Sequence, residues 1–271
     1  HLDFARLMDR SIRRASLPIA FTGGFHPGPR ISPANALPLG ITSTGEIVDF
    51  ELTEAIDPAD FEARLRSQLP ADIPIYETRE ISLQMPSSTK CLDRAEYLIV
   101  VNTVATEGEE TAGELAQQPE AQSTVQAKEP PEGQWTDWIA QILAADEIMT
   151  TKMTKSGKTK SIDLRSRLFE LSLLDAETLA SQPLSVRDRL APQGSIQSTT
   201  QAVLRYVGSC RNDGTLLKPQ NMLTMLEFVS HQSLQLGAVH RVQLIMADPT
   251  TKTPTTKTPT TKTTANSNGV A

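Results

Sequence analysis

The sequence predicts an α+β protein of two ferredoxin-like (split βαβ) units, the first lacking its opening strand, with a disordered insert and a disordered tail. Three observations predict it. Residues 1–90 read as helix, strand, strand, helix, strand, which becomes β-α-β-β-α-β if one strand precedes them. Residues 91–247 repeat that order more faintly. Residues 105–134 and 248–271 hold too few large apolar side chains to offset the entropy of ordering.

The elements follow in order. Phe4, Met8, Ile12 and Ala15 recur at helical spacing with Leu7 beside them, so the chain opens on an amphipathic helix that Pro18 ends. Arg6, Arg10, Arg13 and Arg14 fall mostly off its apolar stripe. GGFHPGPR, residues 23–30, is too rich in Gly and Pro for regular structure and reads as a loop. ALPLGITS and GEIVDFELTEA then alternate as β-branched runs, and Ser43-Thr44-Gly45 between them suits a hairpin. Asp57 is placed to cap a second helix, with Pro58 at its first position and Phe61, Leu65 and Leu69 stacked along one side. IPIYETREIS, residues 73–82, alternates as a strand.

In the second block AEYLIVVNTV reads as a strand and WTDWIAQILAA as a helix. EIMTTKMTK and TTQAVLRYVGSC read as strands, KPQNMLTMLEFVS as a helix and AVHRVQLIM as the closing strand. SIDLRSRLFELSLL, residues 161–174, fits a strand or a helix by its apolar spacing. The expected organisation is therefore a first unit over 1–90, a second over 91–247 with an acidic insert at 105–134, and a Thr/Lys/Pro tail over 248–271, where PTTKT occurs three times.

Charge is uneven beneath a net −6. Residues 105–134 hold seven Glu against Lys128, whereas residues 1–40 carry five Arg against Asp3 and Asp9. Residues 150–168 carry four Lys and two Arg against Asp163, so an acidic chain hides two basic regions. No apolar run approaches the roughly 20 residues of a membrane span, and no signal segment opens the chain, so a soluble cytoplasmic protein without membrane contact is expected. Cys91 and Cys210 are too few for a Cys-based zinc or iron–sulfur site, and free thiols are expected. Because His1 already lies in the opening helix, an upstream segment carrying the missing strand is also expected.

HLD at the start, RSIRRASLP, GGFHPGPR, ALPLG and TSTGE occur in that order within about 45 residues. Together they resemble the bacterial radical SAM-linked family, and the AEY strand and the SIDLR segment fit the same family. The chain departs from it in Gly23 and Gly28, where Gln and Arg are common, in its acidic insert, and in lacking the cluster-binding CxxxCxxC. The resemblance implies an accessory role to radical chemistry, with S-adenosylmethionine and an iron–sulfur cluster on a radical SAM protein linked in cis or acting in trans. It places no cofactor on this chain, and no metal is expected there either, because His1 and Asp3 would need a third ligand from His26 or Glu46 and their spacing resembles no metal motif.

The matched residues suggest a binding surface. His26 and Arg30 stand on a stiff loop that must be exposed, close to a helix carrying His1, Asp3, Arg13 and Arg14, and this set, with Glu46 after the glycine turn, is the candidate substrate- or partner-binding surface, able to bind phosphate or exchange protons. In the alternative reading the loop is a structural turn, Arg13-Arg14 is a solvated helix face, and Glu46 is an ordinary strand-entry residue. KMTKSGKTKS, residues 152–161, can touch phosphate backbones or be a solvated hairpin tip. GSCRNDG lacks the spacing of a phosphate loop, and GxSxG and HExxH are absent. His231, His240 and Cys210 read as structural.

Three functions are compatible with these readings. The first is an accessory or substrate-presenting domain for a radical SAM enzyme, acting on RNA or a ribosome-related macromolecule and not catalytic by itself. The second is a stand-alone RNA-binding or RNA-processing module, loosely similar in fold to the ferredoxin-like endoribonucleases that trim CRISPR repeat transcripts. The third is an interaction domain without chemistry.

Overall fold

The computed structural model describes residues 2–104, 133–153, 157, 159–191 and 200–247. The expected tail, the expected insert up to residue 132, and His1 lie outside the described residues.

Helix α1 (Leu2–Arg14) buries Met8 and Ile12, as its spacing requires. It ends before Pro18, because Ser16 takes a positive φ of 51° and turns the chain. The carbonyls left open there are met from another helix: Arg64 donates from Nη2 to Ala15 O at 2.9 Å and also to Ser16 O. Strands β1 (Ile31–Pro33), β2 (Ile41–Ser43) and β3 (Val48–Phe50) follow. Helix α2 (Pro58–Arg66) begins at Asp57, whose Oδ1 accepts from Ala59 N at 2.9 Å and Asp60 N at 3.3 Å. Next come α3 (Ser88–Cys91), β4 (Leu92–Thr103), α4 (Gln134–Ala144), β5 (Met149–Met153), β6 (Thr159–Asp163) and β7 (Leu168–Leu173). The chain continues through α5 (Ala176–Ser181), α6 (Leu184–Leu190), β8 (Gln201–Ser209), α7 (Pro219–Ser230) and β9 (Leu234–Met246).

The main sheet has the order β2-β9-β4-β8-β7. β9, β4, β8 and β7 pair antiparallel, and β2 joins parallel to β9. The path β4-α4-β7 therefore crosses over β8, and β8-α7-β9 crosses over β4, so two β-α-β connections interleave. Both faces of the sheet are covered, which explains the unbroken apolar run Leu98–Val101 in β4. Tyr97, Ile99, Val101, Leu204 and Tyr206 meet Trp138, Ile142, Met222 and Leu226 from α4 and α7. Leu98, Val100 and Val203 meet Val186 and Leu190 from α6 on the other face. Each such side chain taken out of water contributes roughly 1.5–3 kcal/mol before ordering costs.

The mixed α+β class is as the sequence predicts, but several elements fall elsewhere. Ser43-Thr44-Gly45 does not turn a hairpin, for β3 pairs with β1 and β2 pairs with β9. The cause is close docking: Thr44 N donates to Arg241 O at 3.1 Å and Leu244 N donates to Gly45 O at 3.1 Å. A Cβ at Gly45 would lie 2.4 Å from Val242 O, so only glycine lets the chain approach β9 this closely. Residues 74–82 carry no regular structure. β5 and β6 form a separate two-stranded sheet, and the main-sheet place expected of EIMTTKMTK is taken by β7. Residues 161–174 thus contain the end of one strand, a 3-10 turn at Arg165–Arg167 and a second strand. The first block forms only the β1–β3 pair under α1 and α2, around Ile12, Leu17, Ile19, Phe61 and Leu65. It does not close a four-stranded sheet of its own among the described residues.

Candidate functional site

An open cleft of about 780 Å³ lies where four parts of the chain meet. Pro33–Ala36 and α3 form one side, the β5–β6 pair a second, and the turn from β8 into α7 a third, with the 3-10 turn beneath. Its charged lining is of one sign. Lys152, Arg167, Arg211 and Lys218 border it, Asn35, Asn212, Asn221 and four threonines supply neutral polar groups, and no Asp or Glu lines it among the described residues.

The cations are differently held. Arg167 donates from Nη1 to Leu216 O at 3.3 Å and pairs with no carboxylate among the described residues. Arg211 pairs with Asp93, which also accepts from Arg94 Nε at 3.0 Å, so two guanidiniums share one carboxylate. Lys152 and Lys218 are exposed and form no ion pair with a described residue. The N-terminal end of α7 reaches the cleft through Lys218 and Asn221, adding the positive end of a helix dipole. Nearby carboxylates are occupied: hydrogen bonds from Thr215 hold Asp213 below its usual range.

Behind the cleft the polar interior is closed by a buried ion pair. Arg241 is fully buried, and its Nε donates to Glu46 Oε1 at 2.7 Å while Nη2 reaches Glu46 Oε2. Its Nη1 donates to Asn35 Oδ1 at 2.8 Å and Nη2 to Asn35 O at 3.2 Å. Asn35 therefore belongs both to the cleft wall and to this pair. Tyr97 stacks on Tyr206 at 5.2 Å between centroids, and the buried Tyr206 hydroxyl has no hydrogen-bond partner among the described residues. Burial pushes the Cys210 thiol up to about 11, so at neutral pH it is a packed thiol and not a thiolate nucleophile. Thr42 and Thr44 bracket His240 at 2.9 Å from Nδ1 and 3.0 Å from Nε2, and burial, with Arg189 nearby, lowers its pKa to about 4.

The residues singled out in the sequence are distributed over two places. His26 and Arg14 are exposed. Arg13 pairs with Asp9 at 2.8 Å and lies 5.4 Å from the Phe21 ring, which brings α1 against the start of the loop. Arg30 pairs with Glu51 at 2.8 Å, and Asp3 with Arg6 at 3.4 Å. Glu46 stands apart from these as the partner of Arg241. Of the basic hairpin, Lys152 borders the cleft. Sequence reasoning missed Asn35, Arg167, Arg211, Asn212 and Lys218. The available sign was the GSCRNDG turn running into Lys218-Pro219, a polar turn between a strand and a helix start. No group of three His, Cys, Asp or Glu side chains able to hold a metal ion occurs among the described residues. No helix among them is long and apolar enough to cross a membrane.

Fold and cleft define a mixed α+β protein with a polar, cation-bordered depression beside a buried Arg–Glu pair. The chain belongs to the family described as "Uncharacterized protein conserved in bacteria (DUF2344)", whose model matches residues 1–219. No curated protein and no solved structure matches it.

Proposed function

We propose that this chain is a binding module that presents a phosphate-bearing macromolecule, an RNA, to a radical SAM enzyme linked to it or acting beside it, and that it has no catalysis of its own. The observation that carries the binding is the cleft bordered by four cations and no carboxylate among the described residues. Such a lining favours a polyanion through neutralised phosphates and released counterions, while Asn and Thr side chains supply hydrogen bonds to sugar or phosphate oxygens. The interleaved crossovers of β4-α4-β7-β8-α7-β9 support reading the second block as a ferredoxin-like unit, in which a covered sheet holds the cleft-forming turns in place. S-adenosylmethionine and the iron–sulfur cluster belong, in this reading, to the partner domain, which rests on the resemblance of HLD, GGFHPGPR, ALPLG and TSTGE.

The test is binding of a labelled single-stranded RNA by fluorescence anisotropy across a salt series. Lys152→Gln and Lys218→Gln should each weaken binding at low salt and reduce the slope of log K against log salt by about 1. Unchanged affinity and slope in the double variant would remove the cleft as the RNA site. The loop carrying His26 and Arg30 is a second contact for the same partner, and His26→Ala separates it from the cleft because that side chain has no structural partner among the described residues.

A further inference from the structure

The two edges of β3 are unlike. Toward β1 and the chain before it every position is used: Glu51 N donates to Arg30 O at 3.1 Å, Ala20 N to Glu51 O at 2.7 Å and Thr53 N to Pro18 O at 2.8 Å. Val48, Phe50 and Leu52 alternate with these and turn their backbone groups the other way. Among the described residues none of those three N–H groups and three carbonyls has a hydrogen-bond partner. Pro74–Ile81 likewise makes no backbone–backbone hydrogen bond. Yet Ile75 packs on the same apolar cluster as Phe50 and Leu52. Two strand-patterned segments therefore flank one hydrophobic cluster without bonding to each other.

We infer that the free edge of β3 accepts one extended polypeptide strand, antiparallel to β3 and leading directly into α1, with alternate apolar side chains set against Ile12, Phe61 and Leu65. This goes beyond the proposed function and does not rest on it. The occupant is fixed by the other half of the same chain. There β4 leads into α4, α4 into β7, β8 pairs with both β7 and β4, and α7 leads to β9 on the far side of β4. In the first block α1 leads into β1, β3 pairs with β1, and α2 leads to residues 73–82. The position matching β4 is the one between β3 and residues 73–82. A strand entering it from α1 makes the right-handed crossover that such connections adopt, and its two sides meet both sets of open backbone groups. Its residues must alternate, because one side faces the cluster and the other solvent.

Residue-resolved amide exchange reads this directly. The alternation predicts that in the chain alone Val48, Phe50 and Leu52 amides exchange fast while those of Glu51 and Thr53 are slow. An extension placed ahead of His1, carrying a copy of the alternating segment Ile47–Thr53 and a short linker, should slow the three fast amides by about 100-fold and slow Ile75 with them. A Gly/Ser extension of equal length should change nothing. The inference is overturned if the three amides are already slow in the dilute chain, or if the copied strand leaves them fast. It is equally overturned if they become slow only as the chain is concentrated, which would make a second copy the occupant. Protection by the free peptide but not by the fused one would assign the edge to a separate partner and refute a strand leading into α1.

Discussion

The five-stranded sheet and the β1–β3 pair stand differently toward solvent. In β4 the residues from Leu98 to Val101 are buried on both faces and both edges are paired, with β8 on one side and β9 on the other. In β3 every residue is half-buried and one edge is open. Ile73–Ser82 alternates as regularly as a strand should, and finds no ladder. The difference shows that alternation sets which side chains face a core, whereas a strand forms only where a neighbour supplies its hydrogen bonds.

The two regions are joined at β2 and β9, and the largest expected effect comes from breaking that joint. Arg241→Ala leaves the Glu46 carboxylate half-enclosed without its cation, and Glu46→Ala leaves a fully buried guanidinium unpaired. Each should cost about 3–5 kcal/mol, measured by urea unfolding. The double variant Arg241→Met with Glu46→Leu should cost less than either single change, because no lone charge remains. If both single variants stay within 1 kcal/mol of the parent, the pair does not hold the two regions together.

The next effect sits on the same joint and depends on pH. His240 is held neutral by burial, with Arg189 adding repulsion, and its pKa falls from 6.5 to about 4. Below the ordinary value the unfolded chain binds a proton that the folded chain refuses, so stability drops as pH falls from 6.5 toward 4 and levels off below that. The loss integrates to about 3 kcal/mol. His240→Gln should flatten this part of the stability–pH profile, and an unchanged profile would mean the imidazole does not titrate with folding. Gly45→Ala should cost about 1–3 kcal/mol by pushing β2 off β9, since the obstructing atom is the Val242 carbonyl in a paired strand. Its signature is faster exchange of Thr44 and Leu244 amides with the β4–β8 ladder unaffected.

Legibility in the sequence followed the same division. The helices α1, α2, α4 and α7 and the strands β4, β8 and β9 were readable because period and capping act locally. Asp57, Pro58 and the 98–101 run needed no knowledge of distant residues. The expected hairpin at Ser43-Thr44-Gly45 failed because its geometry is decided by β9, some 200 residues away. The same holds for β7: residues 161–174 fit two periods, and pairing with β8 chose between them. Of the candidate site, Lys152 was visible as part of a basic hairpin. Arg211 and Lys218 were not, since their meaning depends on loop 33–36 and the β5–β6 pair facing them across the cleft. Glu46 was noticed for its place after a tight glycine, but its partner Arg241 gave no local sign.

The smallest effect should be the most confined. Asp57 caps α2 through two backbone bonds, and Asp57→Ala removes an acceptor from exposed N–H groups that water can partly satisfy. The cost should be about 1 kcal/mol. Because α2 supplies Phe61 and Leu65 to the first block's cluster and Arg64 to the end of α1, the loss should appear as faster exchange throughout α1, α2 and β3. The amides of β4 and β8 should keep their protection, since their neighbours are other strands of the main sheet. Asp57→Asn, which retains an oxygen acceptor, should recover most of the loss. A uniform rise in exchange across both regions would instead show that they open as one unit, and the contrast between an open-edged and a closed sheet would then have no counterpart in stability.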